Sequence, residues 1–398
     1  MDLRTGAAFW PLKNGLIGVY PPLERSETCE VAVVGAGVSG ALVAQRLAEA
    51  DCDVIVVDRG DVAMGSTAAT TGLLQYETDT SLSELAAHFG VDRAVRSWKL
   101  GRKAIDDIEA LCSSDGCGLS RRPSLYLASS RWDLRSLKIE YELRARHCFD
   151  VSWLNQKEIA ATFGFRHRAA IRSDGAAEID AYRFTHTVLS QAIGRGARVY
   201  DRTEVIGVKT DAEGVTLETN RDRTIRARRV VVAAGYEVAR RLGKARGHLH
   251  STWACVSEPV ANLSWWPERC LIWETSRPYT YLRTTSDCRV MIGGEDEPWS
   301  SRHENSRLLN KKARRLLAQF SKLFPEAQIE LAYSWAGVFG TTPDGLPYVG
   351  EVRDHPHTWY ALGYGGNGIT WSMIAADLIR DWWRGRPNPD AELFSFER

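Results

Sequence analysis

Two short apolar runs separated by a helical pattern form the most regular part of the chain, residues 29–59. Residues 31–34 and 54–57 are continuous apolar runs rich in valine, which is typical of strands buried on both faces. Between them, apolar residues at positions 42, 43, 47 and 48 follow the spacing of one face of an α-helix. The pattern predicts a strand–helix–strand unit with parallel strands.

The rest of the chain shows helical and strand patterns in alternating blocks. Residues 1–28 predict an irregular arm that packs apolar side chains on the body. Helices are predicted at 83–112, 132–146, 182–192, 306–324 and 370–383, and strands at 124–128, 199–217, 228–235 and 250–292. At this length we expect two domains, the first from residues 1–82, 166–245 and 331–398, the second from 83–165 and 246–330.

The turn between the first strand and the helix carries the motif G-x-G-x-x-G. Gly35 permits the tight turn, Gly37 lets a pyrophosphate approach the backbone, and Gly40 allows helix and strand to pack closely. The helix N-terminus offers free N–H groups to phosphates. Asp58, followed by Arg59, ends the second strand, where a carboxylate can bind a ribose. We therefore expect a dinucleotide site, and Asp58 favours FAD or NAD over NADP.

Composition excludes several other classes of protein. The chain has 398 residues and a formal net charge of +1, so no strong field indicates nucleic acid. Eight cysteines lack metal-site spacing and predict reduced thiols. No apolar run is long enough for a signal peptide or a membrane span, so we expect a cytoplasmic protein. The histidine pairs 248/250 and 355/357 have no acidic or cysteine partner nearby, which argues against a metal site.

Two further segments suit a flat cofactor. Residues 65–76 are rich in small hydroxylated side chains, and Ser66, Thr67 and Thr70 can hydrogen-bond phosphate oxygens. Residues 333–369 are rich in glycine and aromatic residues and precede a helix, whose N-terminus can stabilise negative charge on a reduced flavin. The strand at 228–235 ends in small residues, which let a cofactor sit close.

With these motifs in this order, the chain resembles the D-amino-acid oxidase family, which includes glycine and sarcosine oxidases. The matching stretches are VAVVGAGVSG with Asp58, GSTAATTG, VVVAAG, WAGVFGTTPDGLPYVG and GYGGNGIT. The resemblance implies a Rossmann-like FAD domain with a substrate domain on an antiparallel sheet. It also implies oxidation of a C–N bond to an imine that water hydrolyses, with oxygen or another acceptor reoxidising the flavin.

The resemblance also implies roles for individual residues. The implied cofactor-binding residues are Gly35, Gly37, Val38, Ser39, Gly40, Asp58, Arg59, Ser66, Thr67, Thr70, Val205, Ala234, Gly235, Gly337, Gly366, Asn367, Gly368, Ile369 and Thr370. Related oxidases carry a carboxylate-binding arginine where Phe339 stands, and sarcosine oxidases attach flavin through a cysteine at about Gly337. We therefore expect noncovalent FAD and a substrate anchor that differs from theirs.

The substrate pocket is expected to include Tyr281, Arg283, Trp335, Phe339 and Tyr364, and Arg277 or Arg283 would anchor an anionic substrate. The aromatic residues are equally compatible with ordinary core. We expect a small amine or N-substituted amino acid, sarcosine- or iminodiacetate-like, as the substrate. Two alternatives stay open at this point: a flavin-dependent 2-hydroxy-acid or polyol-phosphate dehydrogenase, and a non-enzymatic FAD-binding assembly protein. The sequence determines neither the natural substrate, the electron acceptor nor the oligomeric state.

Overall fold

The computed structural model describes residues 4–112, 117–236, 238, 247–300, 305–362 and 364–398. The described strands are β1 Arg4–Gly6, β2 Glu27–Val34, β3 Val54–Val57, β4 Leu73–Leu74, β5 Ser120–Leu127, β6 Val151–Asn155, β7 Ala169–Glu178, β8 Arg198–Tyr200, β9 Val205–Asp211, β10 Gly214–Thr219, β11 Thr224–Val232, β12 His248–Ser257, β13 Leu271–Glu274, β14 Tyr281–Thr284, β15 Val290–Pro298, β16 Leu331–Thr341, β17 Tyr348–Glu351 and β18 Thr358–Leu362. The described α-helices are α1 Phe9–Asn14, α2 Val38–Ala48, α3 Ser66–Ala69, α4 Leu82–Phe89, α5 Val91–Leu111, α6 Asp133–Arg146, α7 Gln156–Phe163, α8 Ala181–Gly194, α9 Ser306–Leu323 and α10 Gly368–Trp383.

The first sheet has eight strands and contains the predicted strand–helix–strand unit. Its main order is β17-β18-β11-β2-β3-β8, with the β9–β10 hairpin attached to β11. The strands from β18 to β8 run parallel. Apart from the half-buried Val34, the two valine runs are fully buried. On one face of the sheet lies α2, which packs against α8 and α10; on the other face, Ile55 and Val57 share an apolar cluster with Val215 and Leu217 of β10. The predicted Rossmann-like α/β class is confirmed.

The second sheet has ten strands, mostly antiparallel. Its order is β1-β16-β12-β15-β14-β13-β5-β7-β4, with β6 paired to β7. Within this sheet only β13 and β5 pair in parallel among the described strands. The amphipathic helix α9 lays Leu309, Leu316 and Phe320 on it, in one apolar cluster with Trp253 and Ile292.

The pairing of four strands differs from the predicted division of the chain into domains. Strands β1, β4, β7 and β16 lie in stretches expected to belong to the nucleotide domain, yet they pair in the ten-stranded sheet. The arm is also more regular than expected, since it contains β1 and α1. The reason is physical: a hydrophobic pattern shows that a segment is a strand, but not which distant strand it pairs with. The other predicted domain boundaries stay predictions.

None of the eight cysteines, all of which lie in the described part of the chain, forms a disulfide bond, and five of them are buried. Burial raises the pKa of the Cys255 and Cys270 thiols to about 12, so both are protonated and unreactive near neutral pH. Within the described part of the chain, no helix has the length and apolar character needed to cross a membrane.

Candidate functional site

A cavity of about 1240 Å³ runs between the two sheets. At one end it lies against the carboxyl ends of β2, β3 and β11, and we call this the nucleotide end. At the other end it is walled by strands of the ten-stranded sheet, and we call this the aromatic end. The aromatic end comprises Asp79, Thr252, Trp273, Tyr279, Tyr281, Asp296 and Phe339.

At the nucleotide end, the glycine motif brings backbone N–H groups to the cavity. Gly35 has a φ of +111°, and a Cβ there would lie 2.5 Å from the Ala233 carbonyl oxygen. A Cβ on Gly40 would lie 1.8 Å from the Gly35 carbonyl oxygen, so only glycine lets α2 start this close to β2. Gly37 caps α2 without a side chain, so the N–H groups of the first turn are open to an anion, apart from the Val38 N–H, which donates to Thr67 Oγ1.

Asp58 is fixed by two backbone hydrogen bonds at the end of β3. Its Oδ2 accepts from the Ala36 N–H at 2.7 Å, and its Oδ1 accepts from the Gly60 N–H at 2.9 Å. Burial raises the pKa of Asp58, whereas the two N–H groups lower it. Each oxygen keeps a further lone pair, and the residue lines the cavity, so Asp58 can accept hydrogen bonds from a ribose.

The hydroxyl-rich segment lies beside the glycine motif. The backbone N–H of Val38 donates to the Thr67 Oγ1 at 3.0 Å, and Ser66 Oγ donates to the Val338 carbonyl at 3.4 Å. Ser66, Thr67 and Thr70 all line the cavity. The segment therefore connects the nucleotide end with β16 of the second sheet.

The C-terminal glycines close the cavity between its two ends. The Gly366 N–H donates to Asp79 Oδ2 at 3.1 Å, and the Asn367 amide donates to the Gln75 and Glu77 carbonyls at 3.0 and 2.9 Å. Opposite them, a Cβ on Gly337 would lie 3.2 Å from the Ala69 Cβ. A larger residue at position 337 would therefore press on Ala69, which also lines the cavity.

Most of the predicted cofactor residues meet at this cavity. Those that line it are Gly35, Gly37, Val38, Ser39, Asp58, Arg59, Ser66, Thr67, Thr70, Val205, Ala234, Gly235, Gly337, Gly366, Asn367, Gly368 and Ile369. Gly40 and Thr370 do not belong to the lining. Gly40 packs α2 on β2, and Thr370 is buried with its hydroxyl donating to the Gln75 carbonyl at 3.2 Å.

Of the five predicted pocket residues, Tyr281, Phe339 and Tyr364 line the cavity, but Arg283 and Trp335 do not. The Arg283 guanidinium is buried and donates to the Thr71, Gly72 and Ile179 carbonyls at 2.8–3.0 Å. The Trp335 indole N–H donates to the Ala69 carbonyl at 2.7 Å. Neither side chain lines the cavity, because each donates to backbone carbonyls instead, and a role for either residue in the substrate pocket stays a prediction.

Two acidic residues of the aromatic end were not predicted. Asp79 Oδ1 accepts from the Tyr279 hydroxyl at 2.6 Å, and burial raises the pKa of Asp296 to about 6. The signal for Asp296 is the acidic run 295–297 at the end of a strand pattern. In the structure, Glu295 and Glu297 both bind Lys312, whereas Asp296 lines the cavity. Asp79 gives no comparable signal in the sequence.

Comparison with known proteins agrees with this geometry. The family model described as FAD dependent oxidoreductase matches residues 30–382. A glycine oxidase of Geobacillus kaustophilus is 28% identical over 361 residues, covering 88% of this chain and 92% of the relative. The gamma-glutamylputrescine oxidoreductase of Escherichia coli is 25% identical, covering 94% of this chain and 87% of the relative. The crystal structure of the Geobacillus glycine oxidase aligns with a TM-score of 0.81 at 25% identity, over 94% of this chain and 99% of that one.

Proposed function

Because this chain belongs to the family of FAD-dependent oxidoreductases, we propose that it oxidises the C–N bond of a small amine or N-substituted amino acid. The observation that carries the proposal is the single cavity that joins a dinucleotide site to an aromatic end. Relatives named as glycine oxidase and gamma-glutamylputrescine oxidoreductase, both of which act on amines, support the choice of bond.

The residues present fit FAD. Gly37 lines the cavity without a side chain, and a Cβ on Gly235 would meet nothing within 4 Å, so a ligand can approach the backbone at both points. We assign the pyrophosphate to the N-terminus of α2, the ribose to Asp58, and the ring to the space between Gly337 and Gly366. No cysteine stands at position 337, which supports noncovalent binding.

In the proposed reaction the substrate loses a hydride and a proton, and its C–N bond becomes C=N. Water then adds to the imine and releases an aldehyde or oxoacid and an amine. Bound FAD supplies the two-electron acceptor, and oxygen or another acceptor reoxidises it. The rings of Tyr281 and Phe339 exclude water and hold the reacting carbon, and such positioning supplies much of the rate.

An anaerobic screen tests the proposal. FAD-loaded protein is mixed with primary amines, secondary amines, amino acids, 2-hydroxy acids and polyol phosphates, and the visible flavin absorbance is followed. We expect bleaching with members of the amine or amino-acid sets only. Bleaching by hydroxy acids or polyol phosphates alone would assign C–O oxidation instead. No bleaching by any compound, with a partner protein co-purifying, would favour a non-enzymatic role.

A further inference from the structure

The aromatic end of the cavity is acidic. Asp79 and Asp296 both line it, together with the rings of Trp273, Tyr279 and Tyr281. The Tyr279 ring lies 5.7 Å from the Tyr281 ring and 6.3 Å from the Trp273 ring, centroid to centroid. Carboxylates beside aromatic faces form a surface that attracts cations, since both present negative potential.

Asp296 is the less satisfied of the two carboxylates. Its Oδ1 is buried and has no hydrogen-bond partner. The Thr252 hydroxyl interacts with the carboxylate, but Asp296 has no ion pair among the described residues, and an ionised carboxylate without one is costly to bury. The unpaired Oδ1 therefore suits a ligand that brings a positive charge or a hydrogen-bond donor.

The cationic side chains near the aromatic end are bound to other groups of the protein. Lys312 pairs with Glu295 and Glu297. Arg277 donates to the Glu274, Ser276 and Asp79 carbonyls at 3.0–3.3 Å. Arg283, predicted as the anchor for an anionic substrate, does not line the cavity; its guanidinium donates to the Thr71 and Gly72 carbonyls and lies 3.5 Å from Glu178 Oε2.

Phe339 of β16 adds another aromatic ring to the surface of the aromatic end. Its ring stacks on His250 with a centroid distance of 5.2 Å, and it lines the cavity. Burial lowers the pKa of His250, so the imidazole is neutral near neutral pH and adds no positive charge. A ligand that carries a carboxylate would therefore face carboxylates and aromatic rings at this end, which would repel its negative charge.

We propose that the aromatic end binds an ammonium group through Asp296, and that the substrate is a primary or secondary amine with no carboxylate on the reacting carbon. This inference rests on the proposed amine oxidation and narrows it to one class of substrate. Asp79, held by the Tyr279 hydroxyl and the Gly366 N–H, adds to the negative potential. Asp296 can also take the proton that the ammonium must lose before its carbon is oxidised.

The charge environment of Asp296 predicts how binding depends on pH. Burial and Asp79 raise the pKa of Asp296 to about 6, while Thr252, Lys312 and Arg277 lower it. The carboxylate is thus largely protonated at pH 5 and ionised at pH 8. The affinity for a permanently charged ammonium ligand should rise as the pH rises through 6.

The test measures binding without turnover. Benzyltrimethylammonium cannot form an imine, so it is titrated into FAD-loaded protein at pH 8 and followed by the change in the flavin spectrum; benzyl alcohol and benzoate serve as neutral and anionic probes. We expect the ammonium probe to bind at least tenfold more tightly than either. Asp296→Asn should weaken its binding roughly tenfold or more, and Asp296→Glu should retain much of it.

Glu297→Gln is the matched control, because it removes the same charge from the next residue of β15, outside the cavity lining. Its Kd for the ammonium probe should stay within about twofold of the wild type. Tighter binding of benzoate, or equal Kd values for wild type and Asp296→Asn, would overturn the inference. If Asp296→Asn does not retain flavin, the wild-type protein is titrated with the ammonium probe at several pH values. An affinity that does not rise as the pH rises through 6 would then overturn the inference. A protein that binds the ammonium probe yet is bleached by no amine would contradict the proposed reaction alone.

Discussion

Asp296 and Asp344 are two carboxylates held in opposite environments. Asp296 is half-buried near Asp79, and its pKa is raised to about 6 from an ordinary value of 3.8. Asp344 accepts two hydrogen bonds from the Arg398 guanidinium, at 2.7 and 2.9 Å. Although burial acts against it, this pairing lowers the pKa of Asp344. The first residue carries unfavourable charge and the second carries stabilising charge.

Stability should therefore respond to pH with opposite signs at these two residues. The raised pKa of Asp296 means that the folded state binds the extra proton between about pH 4 and 6, so its ionisation above pH 6 costs stability. Asp296→Asn should raise the unfolding free energy at pH 8 by about 1–3 kcal/mol, and this gain should shrink as the pH falls through 6.

Asp344→Asn is the comparison variant for that measurement. Its lowered pKa means that its contribution is present above about pH 4 and is lost only as the pH falls through the folded value. Asp344→Asn should therefore lower stability by about 1–3 kcal/mol at both pH 8 and pH 5. Thermal unfolding of the FAD-loaded variants at both pH values checks this. An Asp296→Asn effect that is equal at pH 8 and pH 5 would contradict the assigned pKa.

The surroundings of Arg283 could not be predicted from the sequence. The period of a strand placed Arg283 two positions from Tyr281, but only Tyr281 lines the cavity. The carbonyls that Arg283 binds belong to residues 71, 72 and 179, which are more than 100 positions away in the chain. A backbone carbonyl has no sequence signature, so such a partner cannot be predicted from residue types.

Helix α6 is attached to the rest of the molecule by a buried ionic network. Arg144 is fully buried, and it donates to Glu140 and to Glu77, each at 2.8 Å. Glu140 also accepts from the Leu82 and Ser83 N–H groups, which begin α4. The network therefore joins two helices to the segment that leads into Asp79.

Removing the arginine should leave two buried carboxylates without their partner. Arg144→Ala should lower the unfolding free energy by about 3–5 kcal/mol, measured by urea denaturation of the FAD-loaded protein. The double variant Arg144→Met with Glu77→Gln should lose clearly less, because one of the unpaired charges is gone. A double variant as unstable as Arg144→Ala would show that packing, and not charge, sets the cost.

Helices and strands could be predicted where the sequence pattern that indicates them lies within a short stretch of the chain. The β2–α2–β3 unit follows from valine runs and a glycine turn within residues 29–59, and the structure reproduces it. Strand β16 was recognised only as a glycine-rich segment, yet it pairs along its length with β12 and also with β1. That pairing places Gly337 and Phe339 over the cavity, and it depends on strands about 80 and 330 residues earlier in the chain.

At the scale of the whole molecule, the cavity separates two sheets that FAD would bridge. Binding to the folded state alone stabilises a protein by about 2.7 kcal/mol at a ligand concentration one hundred times Kd. Noncovalent FAD should be released by acid precipitation and stay in the supernatant. Apoprotein should unfold at a lower temperature than holoprotein, and added FAD should restore the difference. Flavin that remains with the acid-precipitated chain would show a covalent link.

The ten-stranded sheet is assembled from five separate stretches: residues 4–6, 73–74, 120–178, 248–298 and 331–341. A chimera that aims to give this enzyme the specificity of a relative cannot be made by exchanging one contiguous gene segment. All five stretches would have to be transplanted together, since each hybrid junction within the sheet would set foreign strands edge to edge. Altering specificity by point changes at the aromatic end avoids that problem.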